Sequence, residues 1–155
     1  MRIRRASLIF ENVLSKNGKC VYKELDKQFI ELRDSVIKND LYQTGAIFYK
    51  ANINDNIECE IEYEIYIPVN KKLRINNNTD YKFYEKFFIE DGLTLRDEGF
   101  EDSINDTKTS LIECAKENGL ELENDFFYIY VDIFGENIID VFAPIGDSVK
   151  FGMKK

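Results

Sequence analysis

The chain has no histidine and no tryptophan, and only two prolines and three cysteines among its 155 residues. Without histidine, Ser-His and Cys-His nucleophilic pairs are unavailable, and so is the commonest nitrogen ligand of a metal site. Cys20, Cys59 and Cys114 lie far apart and form no CxxC pair, which argues against structural zinc; their odd number suits a reducing compartment. No apolar run approaches the roughly 20 residues of a membrane helix, and no apolar signal region follows the basic start Met1-Arg-Ile-Arg-Arg5, which reads as a solvated end. Positive charge is also scarce: 21 basic residues against 29 acidic ones leave a net charge of −8 and a pI near 4.7. That balance weighs against non-specific nucleic-acid binding, which needs a cationic face to displace counterions. No segment reads as a DNA-binding helix-turn-helix. The expectation is a cytoplasmic protein with no metal, cofactor, membrane or nucleic-acid partner.

What is present is written twice. A helical stretch ends at Asn39-Asp40-Leu41 and another at Asn118-Gly119-Leu120, 79 residues later. Each is followed by an apolar strand, residues 45–53 and 125–133. Each copy then closes on a strand ending in proline, Glu64-Ile-Tyr-Ile-Pro-Val69 and Asp140-Val-Phe-Ala-Pro-Ile145, with an offset of 76. The chain therefore reads as α+β: a duplicated strand–helix–strand–strand unit forming one curved antiparallel sheet with two helices on one face. We expect a single domain over 1–155, with repeats at about 5–70 and 81–146, a polar linker at 70–80 and a loose tail at 146–155. Exposed sheet edges leave a homodimer open.

In the first copy, residues 7–15 read as a strand, 16–19 as a turn and 22–38 as a helix, with Tyr22, Leu25, Phe29, Leu32 and Val36 on one face. Strands follow at 45–53 and 57–69 around a turn at 54–56. In the second copy, residues 81–90 read as a strand, Asp91-Gly92 as a turn and 100–117 as a helix, with Ile104, Leu111 and Ala115 inward. Gly119 suits a left-handed helix cap. Strands at 126–133 and 138–145 flank a turn at 135–137.

Alternation along the strands assigns faces. Ile47, Tyr49, Ala51 and Ile53, matched by Phe127, Ile129, Val131 and Ile133, read as lying under the helices. So do Cys59, Ile61, Tyr63, Ile65, Ile67 and Val69, matched by Ile139, Val141, Ala143 and Ile145. The other face then presents Phe48, Lys50, Asn52, Glu58, Glu60, Glu62, Glu64 and Tyr66, with Tyr128, Tyr130, Asp132, Asp140 and Phe142. A polar face opposite a core face is ordinary for a half-exposed antiparallel sheet. Glutamates about 7 Å apart along a strand repel by about 0.6 kcal/mol per pair in water and about 2.4 kcal/mol at an effective dielectric near 20. In water the row needs no ligand; buried, it would need cations. Carboxylates beside aromatic rings also suit an organic cation or a basic peptide, through charge, cation–π contact and stacking. The candidate binding residues are Phe48, Lys50, Glu62, Glu64, Tyr66, Tyr128, Tyr130, Asp140 and Phe142, with no catalytic and no metal-binding residue assigned.

The doubled order and the two proline-ended strands resemble the GyrI-like effector-binding domain over roughly residues 5–146. The resemblance implies a tandem repeat with one curved sheet, two helices on its convex side, and a central cleft that takes hydrophobic cations. It implies that Asp140 stands in that cleft with Glu64 as its counterpart; the chain departs from the pattern in lacking tryptophan and in having Asp at position 140. The stretches Glu11-Asn-Val-Leu-Ser-Lys16, Leu41-Tyr-Gln-Thr-Gly45, Asp91-Gly-Leu-Thr-Leu-Arg96 and residues 134–145 are similar to a family of uncharacterised Gram-positive stand-alone domains. Members of that family are sometimes found near type VII secretion toxin genes, so the resemblance implies an accessory or chaperone role. Three functions follow as expectations: a non-catalytic binding protein for a small organic cation; a protein-binding accessory or chaperone for a type VII-secreted toxin or its partner; and, as a minor alternative, a hydrolase using the cleft carboxylates.

Overall fold

The computed structural model describes residues 3–52, 59–75, 80–97, 103–133, 136–146 and 149–153. In chain order the elements are β1 (Arg4–Val21), a 3-10 turn (Tyr22–Glu24), α1 (Leu25–Lys38), β2 (Phe48–Asn52) and β3 (Glu60–Pro68). They continue with β4 (Tyr81–Asp97), α2 (Ser103–Glu117), β5 (Asp125–Ile133), β6 (Glu136–Pro144) and β7 (Val149–Met153). All strand pairings are antiparallel, in the order β1-β3-β2-β5-β6-β4-β7. β1 also pairs with β4, so the first six strands close into a circuit. The closure depends on Val13 to Lys16, which have partners on both β3 and β4.

The duplication is visible in the helix ends. Asp40 (φ 57°) and Gly119 (φ 65°) both take the left-handed conformation. Leu41 N–H donates to Val36 C=O at 3.0 Å, and Leu120 N–H donates to Ala115 C=O at 2.9 Å. The Asn39 and Asn118 side chains cap Ser35 and Cys114 carbonyls at 2.7 and 2.8 Å. Both helices thus end in the same six-to-one motif, which satisfies carbonyls that would otherwise lack donors.

Two cores result, one on each face of the sheet. On the helix side, Leu25, Phe29, Leu32 and Val36 of α1 and Leu111 and Ala115 of α2 pack on Tyr49, Ile65, Ile67, Tyr128, Val141 and Ala143. On the other side, Val13, Phe48, Tyr66, Tyr84, Phe87, Ile89, Phe127, Ile129 and Phe142 form a second cluster. The helices therefore lie opposite Glu64 and Tyr66, as expected.

Several expectations are corrected. The turn expected at 16–19 is strand, because β1 runs on to Val21 against β3. The turn expected at Asp91-Gly92 lies within β4. Both glycines serve close approach instead of a turn. A Cβ on Gly18 would lie 2.6 Å from the Tyr63 hydroxyl oxygen, and one on Gly92 would lie 2.5 Å from the Phe142 ring and 2.8 Å from Ala143 O. The tail is not wholly loose: β7 pairs with β4 residues 84–89, beside the β4–β6 pairing at 92–97. The face expected for β5 is reversed. Tyr49 opposes Tyr128, so Tyr128 and Tyr130 lie on the helix side, and Phe127, Ile129 and Val131 face the inner cluster. Phe126 to Ile129 are all buried, so β5 is apolar on both faces and alternation alone could not set its register. The turn at 54–56, Ile53, Glu58, residues 100–102 and Gly135 lie outside the described residues.

Gly92→Ala is expected to destabilise the fold by about 1–3 kcal/mol, since the Phe142 ring and the Ala143 backbone must both move. Urea denaturation of the variant measures this, and an unchanged midpoint would contradict the packing described.

Candidate binding site at a buried carboxylate

Glu64 lies in the middle of β3, opposite Asn17 of β1 and Lys50 of β2, and is only 8% exposed. Its Oε1 accepts a hydrogen bond from the Tyr66 hydroxyl at 2.6 Å and sits 3.3 Å from Lys50 Nζ. Its Oε2 accepts from the Ser15 hydroxyl at 3.1 Å and the Tyr84 hydroxyl at 3.2 Å. The strand period places each donor. Tyr66 is two residues along the same strand, Ser15 opposes Tyr66 on β1, and Tyr84 lies on β4 across from Val13.

This arrangement keeps the carboxylate ionised. Burial by itself would raise its pKa, but the Tyr66 hydroxyl, the charges of Lys50 and Lys82 and the Ser15 hydroxyl together hold it below the ordinary value. Burial, and then the Glu64 charge, push the Tyr66 and Tyr84 hydroxyls well above the usual tyrosine range, so both remain proton donors. Of the row along β3, for which burial would require a cation, Glu64 is buried and has the Lys50 ammonium beside it. Glu60 and Glu62 of the same row are exposed.

Glu64 forms part of the wall of an open cleft of about 630 Å³. Its lining includes four carboxylates, Glu62, Glu64, Asp80 and Asp125, and three ammonium groups, Lys19, Lys50 and Lys82. Such a volume suits a drug-sized molecule. The rings of the inner cluster do not line it and pack on one another. Phe48 is stacked between Phe10 and Tyr66, with ring centroids 4.6 Å apart on each side. Phe87 meets Phe48 and Tyr66 edge-on at 5.1 and 4.9 Å. Phe48, Tyr66, Phe87, Phe127 and Phe142 are each at most 2% exposed, so their faces are already occupied.

The sequence-derived candidates thus separate. Lys50, Glu62 and Glu64 meet in the cleft, with Glu62 at its rim paired to Lys19 at 3.3 Å. Phe48 and Tyr66 form the packed layer beside it, and Phe142 lies over Gly92 in the same inner cluster. Tyr128 and Tyr130 are on the opposite face, where Tyr128 stacks on Tyr49 at 4.8 Å and Phe29 meets Tyr130 edge-on at 5.0 Å. Asp140 does not join Glu64. It opposes Arg96 and Ile129, and Arg96 donates to its two oxygens at 2.8 and 3.2 Å. Glu64 and Asp140 are three strands apart, about 14 Å along a flat sheet.

Ser15, Tyr84, Lys82, Asp80 and Asp125 were missed. Ser15 reads as a strand end until β1 is continued to Val21. Tyr84 and Lys82 enter only through the β1–β4 pairing. A signal for β5 was present: carrying the 79-residue offset of the helix ends onward would have matched Tyr49 with Tyr128.

The family model described as Domain of unknown function (DUF5085) matches residues 9–146. No curated protein matches the chain. Among solved structures, EcmrR in an EcmrR–DNA complex has 18% identity and a TM-score of 0.72, covering 92% of this chain and 57% of that one. The chain thus spans little more than half of EcmrR. The EcmrR C-terminal domain alone has 16% identity and a TM-score of 0.67, covering 94% and 98%. SAV2435 bound to tetraphenylphosphonium has 9% identity and a TM-score of 0.57, covering 95% of both chains. The shared fold is the GyrI-like one expected from the sequence.

The ionised state of Glu64 has a pH signature. Its folded pKa is below the ordinary 4.5, so its stabilising contribution is present above about pH 4.5 and is lost as pH falls through the folded value. Tyr66→Phe should cost about 1–2 kcal/mol at pH 7 and raise that pKa, so the gap to the wild type narrows on acidification. Urea denaturation from pH 7 to pH 3 checks this; a pH-independent gap would count against the bond to an ionised Glu64.

Proposed function

The chain belongs to the DUF5085 family, and we propose that it is a non-catalytic binding protein that takes a small organic cation in the cleft bordered by Glu64. One observation carries the proposal: a carboxylate held ionised by burial-compensating donors lines an open cavity of ligand size. A buried negative charge attracts a cation strongly, because the surrounding dielectric is low and the charge has already been desolvated. The fold shared with SAV2435, whose structure contains tetraphenylphosphonium, supports the same reading. Hydrolysis is disfavoured. A carboxylate with a lowered pKa and hydrogen bonds to three hydroxyls is a weak general base and has no proton to give near neutral pH.

Thermal-shift measurements with benzamidine, alkylguanidines, tetraphenylphosphonium and their neutral analogues test the proposal. A cation at a hundred times its Kd should add about 2.7 kcal/mol of stability, while neutral analogues leave the melting temperature unchanged. Glu64→Gln should weaken cation binding by about thirtyfold, equivalent to about 2 kcal/mol. Equal responses to cations and neutral molecules, or full affinity in the variant, would remove Glu64 from the site. No response to any small molecule would favour a protein partner instead.

A further inference from the structure

We infer that Lys50 is a tethered competitor for the ligand: its ammonium occupies the cation position on Glu64 and leaves when a ligand arrives. The inference rests on the cation-binding reading above and specifies the ligand class. A carboxylate has about four acceptor positions. On Glu64 they are taken by the hydroxyls of Tyr66, Ser15 and Tyr84 and by Lys50 Nζ. Tyr66, Ser15 and Tyr84 are at most 4% exposed and are fixed in the sheet. The Lys50 side chain is 31% exposed and ends a flexible four-carbon stem. An incoming cation can therefore replace Lys50 far more readily than any of the hydroxyls.

The displaced ammonium has a second seat. Lys50 opposes Phe127 on β5, and Asp125 lies two residues before Phe127 on the same side of the sheet. That diagonal spacing of about 7–8 Å is within reach of a lysine, and both residues line the cleft. Moving from Glu64 to Asp125 keeps Lys50 beside a carboxylate while a ligand takes its place.

The position Lys50 leaves is within hydrogen-bond distance of the carboxylate, with Nζ 3.3 Å from Oε1 in an ion pair. The neighbouring ring faces are stacked on each other and cannot enclose a quaternary centre. The favoured ligand therefore carries N–H donors, as a primary ammonium, amidinium or guanidinium does. A phosphonium or quaternary ammonium ion lacks such donors.

Titration calorimetry of benzamidine and tetraphenylphosphonium into the wild type, Lys50→Met and Lys50→Gln tests this, with thermal melts to establish that each variant folds. The wild type should bind benzamidine more tightly than tetraphenylphosphonium. Removing the tethered cation should tighten benzamidine binding about fivefold, equivalent to about 1 kcal/mol. In the wild type, benzamidine should also speed acylation of the Lys50 amine. Wild-type binding with no gain in either folded variant, or with an unchanged acylation rate, overturns the role of Lys50 alone. Absence of cation binding in the wild type and both variants overturns the cation reading of the cleft as a whole.

Discussion

Residues 13–16 of β1 are hydrogen-bonded on both sides, to β3 in one repeat and β4 in the other, and the circuit of six strands depends on them. Without that double pairing the repeats would meet only at β2 and β5, and the edges of β1 and β4 would lie open. The same double pairing brings two of the site's donors together. Ser15 reaches Glu64 from β1, while Tyr84 reaches it from β4. Sheet closure and carboxylate burial are thus one construction.

The duplication supplies two equivalent acidic positions and treats them differently. Glu64 faces Asn17 on β1 and Lys50 on β2; Asp140, 76 residues later, faces Arg96 on β4 and Ile129 on β5. Arg96 neutralises Asp140 with a two-point contact, near solvent, where such a pair needs no other partner. At Glu64 the arginine is replaced by asparagine, and the charge is shared among hydroxyls and a part-exposed lysine. Two residue exchanges on neighbouring strands separate a settled ion pair from a cleft-lining acid.

Local patterns carried much of this and failed at specific places. The helix-ending triplets repeat in sequence and in hydrogen bonding, so the doubled architecture was readable. β2 and β3 show enough contrast between their faces for Phe48, Lys50, Glu64 and Tyr66 to be assigned to the side of the sheet away from the helices. β5 is buried on both faces, and its alternation is mute; hence the misplaced Tyr128 and Tyr130. Gly18 and Gly92 carry the signal of a turn, but their role lies in ring contacts from residues distant in sequence. The convergence of Ser15, Tyr84 and Glu64 requires strand pairings across tens of residues, and neighbouring residues hold no record of those.

The double pairing of β1 also bears on time. β1 precedes all the other strands in the chain, yet its partners on β4 begin at Tyr81, and its contacts with them span about as many residues as a whole repeat. Such distant pairing makes folding slow, since a long loop must close before any contact rewards it. During synthesis the first repeat can form its helix and its β2–β3 hairpin early. Its leading strand stays half-satisfied until the second repeat has emerged, which makes β1 the segment most in need of protection from wrong partners.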